Sequence, residues 1–161
     1  MKRLFLLLLL FLTVLLSACQ DKYGILEYQQ KDIVAKCIIN EKYKVEISKE
    51  NGRSKVVVEE PKEASGITFE VGEGVFVSSG EMKIEMERES LGGICALTGI
   101  FSQDEDYLTV ATQKGEESEL TFQTEKCVYK LTIGKNGLPK LVSIASEDFI
   151  YQVEILSIEL K

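Results

Sequence analysis

From Asp32 to the C-terminus the chain repeats one pattern: apolar residues at every second position, interrupted by turn signals. Ile33, Ala35, Cys37 and Ile39 alternate with smaller or polar neighbours. Tyr43, Val45 and Ile47 alternate with Lys44, Glu46 and Ser48. A period of two puts every apolar side chain of a segment on one face of a β-strand. A chain built this way must find a shared interior for many half-apolar strands, which restricts it to sheet architectures with one covered face.

The same alternation continues through Lys55–Glu60, Ile67–Val71, Val75–Ser78 and Met82–Met86. It resumes in Tyr107–Gln113, where Leu108 and Val110 are read onto one face, and in the segment holding Leu120 and Phe122. It then runs through Cys127–Ile133, Leu138–Ala145 and Phe149–Leu160. Asn51-Gly52 is a hairpin turn signal and Pro61 ends the strand before it. Short turns between successive strands require antiparallel pairing. In the last segment Phe149, Tyr151, Val153 and Ile155 keep step, but Leu156, Ile158 and Leu160 then carry the apolar register. That slip of one predicts a β-bulge near Ile155–Leu156. One segment breaks the period. Leu91, Ile94, Cys95, Leu97, Ile100 and Phe101 have the spacing of an amphipathic helix, although Gly92, Gly93 and Gly99 weaken it. The expected fold is mostly β (α+β): an unclosed antiparallel barrel, or strongly curved sheet, of about ten strands with one covering helix over 91–101.

The N-terminus has a different character. Lys2 and Arg3 precede an almost unbroken apolar run from Leu4 to Leu16, followed by Ser17, Ala18 and Cys19 and then by Gln20, Asp21 and Lys22. This is the layout of a secretory signal, and the run is short for a membrane span of about 20 residues. Leu16-Ser17-Ala18-Cys19 resembles the lipobox of bacterial lipoproteins. The resemblance implies cleavage between Ala18 and Cys19 and a diacylglyceryl group on the Cys19 sulfur, a two-chain anchor that holds stably to a bilayer. Gln20, not Asp, follows the cysteine, so the usual inner-membrane retention signal of Gram-negative cells is absent. The expected division is a signal peptide over 1–18, a lipidated tether over 19–31 with a short helix near its end, and one domain over 32–161. The expected location is the extracytoplasmic face of the cell membrane.

Residues 19–161 carry 17 basic and 26 acidic side chains, a net charge of −9. Such a domain is a poor partner for nucleic acid or anionic lipid headgroups. The chain has no His, which removes Ser-His-Asp and Cys-His catalysis and the commonest metal ligand. It is therefore read as a non-enzyme with no cofactor and no metal. Glu85, Glu87 and Glu89 have the spacing of a solvated strand face. Gln103-Asp104-Glu105-Asp106 is a loop of oxygen ligands, but it lacks the turn glycine of a calcium loop and reads as plain polar surface. Cys37, Cys95 and Cys127 are widely spaced and odd in number. They are read as small buried hydrophobes, with one bridge plus one free thiol as the alternative.

Several stretches carry a family resemblance. Val56-Val57-Val58-Glu59-Glu60-Pro61, Ser65-Gly66-Ile67-Thr68-Phe69, Gly74-Val75-Phe76-Val77 and Glu81–Glu87 form one part. Lys130-Leu131-Thr132-Ile133, Asn136-Gly137-Leu138-Pro139 and the long last strand form the other. In this order they resemble the small LolA-like lipoproteins of Gram-positive bacteria, related in fold to the LolA and LolB carriers and to RseB. The resemblance implies a half-barrel whose apolar concave side takes acyl chains. The lining candidates are Phe69, Val77, Met82, Ile84, Met86, Leu108, Val110, Phe122, Tyr129, Leu131 and Tyr151. Two readings of them stay open: they line a cavity for a lipid or other hydrophobic ligand, or they pack against the 91–101 helix as a filled core. On the second reading the protein is a tethered interaction or sensor-accessory module whose partner the sequence does not name.

Overall fold

The computed structural model describes residues 26–161. Ala18 and Cys19, and with them the signal and the lipidation site, lie outside the described residues. Among the described residues eleven strands form one antiparallel sheet. They are β1 (Ile33–Ile39), β2 (Tyr43–Glu50), β3 (Arg53–Glu60), β4 (Thr68–Val71), β5 (Val75–Ser79), β6 (Met82–Met86), β7 (Leu108–Lys114), β8 (Glu117–Gln123), β9 (Val128–Ile133), β10 (Pro139–Ala145) and β11 (Ile150–Leu160). Their order across the sheet is β6-β5-β4-β3-β2-β1-β11-β10-β9-β8-β7. The chain thus meanders outward from β1 to one edge, crosses over, and meanders back inward so that β11 pairs with β1. β1 and β11 pair in the middle, and among the described residues β6 and β7 are the unpaired edges.

The alternation decides which face is buried. Along β1, Ile33, Ala35, Cys37 and Ile39 are all buried while Lys36 is exposed. Paired residues share a face, so the inner surface continues from Ala35 to Ile47 and Val56 on one side. On the other side it continues through Val153, Val142, Leu131 and Leu120. The slip in β11 is a bulge: Lys36 faces Ser157 and Cys37 faces Ile155, which leaves Leu156 as the extra residue. At the first hairpin Asn51 and Gly52 have φ of 51° and 75°. Two successive positive values make a turn that matches the twist of its strands.

The crossover carries helix α1 (Gly92–Thr98), flanked by 3₁₀ turns at Arg88–Leu91 and Gly99–Phe101. Seven residues are too few for a helix to stand alone in water. Burial of Ala96, Leu97, Ile100 and Phe101 holds it, and Lys49 fixes its far end by donating to the Phe101 carbonyl at 3.1 Å and to the Gln29 carbonyl. The helix packs on β2, β3 and β4, yet Tyr129 of β9 also reaches it, donating to the Ala96 carbonyl at 3.3 Å. In a flat sheet β4 and β9 would lie about 29 Å apart, six spacings of about 4.8 Å, while the helix is only about 10 Å long. The sheet must therefore curl around it. Leu26 and Tyr28, the one just before and the other within a short 3₁₀ turn at Glu27–Gln30, also pack into the core.

Candidate apolar ledge on the concave face

The eleven sequence candidates separate into three groups. Phe122, Tyr129 and Leu131 are buried at 0 %, 6 % and 1 % exposure. Leu108 and Tyr151 are half-buried and pack against the same core. This half of the sheet is filled by its own side chains, pressed close to α1. A methyl group at Gly99 would stand 2.9 Å from Tyr129 Oη, and one at Gly93 would overlap Tyr151 Oη and lie 3.2 Å from its ring carbons. Tyr129 is enclosed tightly enough that burial pushes its hydroxyl well above the ordinary tyrosine range, and burial raises Tyr151 as well.

Val110 is a correction. The register of β7 against β8 shifts between Leu108 and Val110: Leu108 faces Phe122 on the inner side, but Val110 faces Thr121, whose other neighbour is the exposed Lys130. The shift puts Val110 on the outer face, 49 % exposed. Leu108 and Val110 do not share a face, because alternation assumes an unbroken ladder.

The third group is the ledge. Val56, Phe69, Val77 and Ile84 form one cross-strand row from β3 to β6, and Val71, Val75 and Met86 form the next. These rows start in the core and run out past the cover of α1. Val56 is 1 % exposed, Phe69 and Val77 are half-buried, and Ile84 is 58 % exposed. Met82 and Met86 on the same face of β6 are 68 % and 37 % exposed. Half-buried Leu91 and Ile94 stand at the start of the helix. The result is an open apolar shelf on the concave side, rimmed on its outer face by Lys83 and Glu85. Contiguous apolar surface of this kind marks a binding surface more often than a scattered exposed residue does, and methionines conform to irregular apolar partners.

Two cavities lie elsewhere. A broad open cleft of about 1240 Å³ sits at the tips of the β2–β3 and β4–β5 hairpins, among Arg53, Lys55, Glu70, Phe76, Lys83 and Glu85. It is polar, and its charges engage one another: Lys83 pairs with Glu70 at 2.6 Å and holds that carboxyl below the usual range. A smaller hollow of about 350 Å³ lies by Gly134 and Gly137. Neither is beneath the helix.

The remaining sequence candidates have local roles. Asp104 Oδ1 accepts from the Asp106 N–H at 3.0 Å and caps the turn at Glu105–Tyr107. Gln103 Nε2 donates to the Gly99 carbonyl at 2.5 Å. Among the described residues no three His, Cys, Asp or Glu side chains converge as a metal site. Cys37, Cys95 and Cys127 are unbridged: Cys37 and Cys127 are buried, and Cys95 is half-buried on α1. Burial pushes the Cys37 thiol up to about 12 and raises the other two. The Gly93–Tyr151 and Gly99–Tyr129 contacts were not legible in the sequence, where those glycines only argued against a helix.

A single open antiparallel sheet curled about one helix defines the class of fold, a half-barrel. Among solved structures, an uncharacterized conserved protein from Thermus thermophilus shares it at a TM-score of 0.55, with 12 % identity over 90 % of this chain and 88 % of that one. Two others superpose more loosely. The LolA superfamily protein NE2245 from Nitrosomonas europaea gives a TM-score of 0.41 at 14 % identity, over 86 % of this chain and 92 % of that one. A domain of an outer membrane lipoprotein-sorting protein from Vibrio parahaemolyticus gives 0.47 at 7 % identity, over 84 % and 92 %. No protein-family model matches the chain, and no curated protein matches it in sequence.

Proposed function

We propose that the protein is a lipid-anchored, extracytoplasmic, non-enzymatic binding module that holds a lipid or other hydrophobic chain on the open ledge of its half-barrel. The observation that carries this reading is the ledge itself: Met82, Ile84 and Met86 exposed on the concave face of β6, with Ile84 in line with Val77 and Phe69 and Met86 in line with Val75 and Val71. An acyl chain laid along it would cover apolar surface that water now meets, worth about 25 cal/mol per Å². The filled core beneath Tyr129 and Phe122 directs the ligand to the ledge and not into an enclosed pocket. The lipobox-like Leu16–Cys19 supports the anchor, which would keep the ledge next to a bilayer.

The test is native mass spectrometry of the domain prepared without detergent, together with titration of an environment-sensitive fatty-acid probe. A bound lipid, and probe binding lost in Ile84→Asp, are expected. A domain that carries no lipid and leaves the probe unshifted refutes the ligand reading. Mass spectrometry of the N-terminus tests the anchor separately, since an unmodified Cys19 or cleavage elsewhere removes it.

A further inference from the structure

The edge strand β6 is self-complementary, and we infer that it pairs antiparallel with β6 of a second copy of this chain, joining two half-barrels into one continuous sheet. Among the described residues the strand order leaves β6 hydrogen-bonded on one side only, and all five of its residues are exposed. An unpaired ladder of N–H and C=O groups is a template for another strand unless something blunts it. The opposite edge is blunted, because β7 carries a register shift between Leu108 and Val110. β6 carries no such shift. Its register with β5 is unbroken from Val75–Met86 to Ser79–Met82, and its sequence Met82-Lys83-Ile84-Glu85-Met86 contains no proline.

The residues select both the partner and the register. In an antiparallel pair centred on Ile84, Ile84 meets its own copy and Met82 meets Met86 on the concave face. Lys83 then meets Glu85, twice, on the outer face. Sliding by two residues in either direction sets Lys83 against Lys83 or Glu85 against Glu85. Sliding by one sets apolar residues against charged ones, and a parallel in-register pair again faces like with like. Of the arrangements compared, the Ile84-centred one alone sets apolar on apolar and Lys83 on Glu85 within Met82–Met86, although Glu81 and Glu87 just beyond the strand then face each other; its twofold symmetry closes the assembly as a dimer. Among the described residues Glu85 makes no ion pair, so its carboxylate is available. Lys83 is bound to Glu70 at 2.6 Å through one of its three donors. The pairing shares Met82, Ile84 and Met86 with the proposed ligand ledge, but charge reversal at Lys83 or Glu85 on the outer face leaves those side chains in place, so the two readings are tested separately.

The experiment uses the full chain in detergent micelles at low salt, mixed in ¹⁴N and ¹⁵N forms and treated with a carbodiimide, which joins an amine to a carboxylate only where they touch. The expected product is a hybrid-mass peptide linking Lys83 of one copy to Glu85 of the other. A cross-strand opposite-charge pair is worth up to about fivefold in affinity, and two pairs convert from attraction to repulsion in Lys83→Glu or in Glu85→Lys. Each variant alone is therefore expected to dimerise at least about fourfold more weakly by sedimentation, with two pairs reversed in sign even at the weak end of that range. Mixing the two variants restores dimers, because every facing pair is then opposite in charge. Three outcomes would overturn the proposal: a wild-type chain that sediments as a monomer, cross-links confined within one chain, or a dimer insensitive to either single reversal.

Discussion

The close approach of helix to sheet at Gly99 supports a quantitative test. A methyl group there would sit 2.9 Å from Tyr129 Oη and 3.6 Å from Cζ. The hydroxyl must therefore give by about half an ångström to reach ordinary contact. Tyr129 cannot swing away, because it is 6 % exposed and its hydroxyl is bonded to the Ala96 carbonyl. Overpacking of this kind costs about 1–3 kcal/mol, offset by about 0.4–1 kcal/mol from the narrower unfolded ensemble of alanine. Gly99→Ala is thus expected to lose about 1–2 kcal/mol. Tyr129→Phe loses one hydrogen bond, about 1 kcal/mol. In the double variant only the ordinary 3.6 Å contacts to Cζ and to Gln103 Nε2 remain, so it should be no less stable than Tyr129→Phe alone. The coupling between the two changes is about 1–3 kcal/mol, where independent sites would add. Urea unfolding followed by circular dichroism reads this directly, since about 1.5 kcal/mol moves the midpoint by about 1 M when the slope is about 1.5 kcal/mol/M. A Gly99→Ala protein as stable as wild type, or a double variant whose losses simply add, would refute the tight seating of the helix.

Three other outcomes are expected. Phe122→Ala, at a fully buried position, should cost about 3–5 kcal/mol, while Ile84→Ser on the ledge should stay within about 0.5 kcal/mol; thermal melts of the pair separate core from ledge. With an aromatic disulfide reagent at about pH 8, the half-buried Cys95 should react slowly in the native protein, and the buried Cys37 and Cys127 only on unfolding. Burial raises Cys37 from 9.0 and Tyr28 from 10.0 to about 12 each. Both groups prefer to stay neutral in the fold, so their contribution is intact below about pH 9 and is lost as the pH climbs toward 12. These two groups alone should lower the urea midpoint between about pH 8 and pH 11 by an amount equivalent to roughly 3–4 kcal/mol, and Cys37→Ala should flatten that slope.

The covering helix shows how far composition arguments reach. The apolar spacing of Leu91, Ile94, Leu97 and Phe101 identified the helix, while Gly93 and Gly99 counted against it, because propensity scores a glycine without knowing what it faces. In the fold those same glycines let the helix backbone come down onto Tyr151 and Tyr129. The lining candidates divided in the same way. Alternation correctly assigned Met82, Ile84 and Met86 to one face of β6, but it could not say that α1 stops short of them and leaves them open.

What the sequence determined by itself is the local content: strands from a period of two, the Asn51-Gly52 turn from its positive-φ residues, and the bulge in β11 from a slip in parity. Each is set by neighbours a few residues apart. What only the tertiary structure decided depends on partners far apart in the chain. The pairing of β1 with β11, the outward turn of Val110 and the bare edge of β6 follow from how a twisted sheet closes around a short helix. That closure is a property of all eleven strands together and is written in none of them.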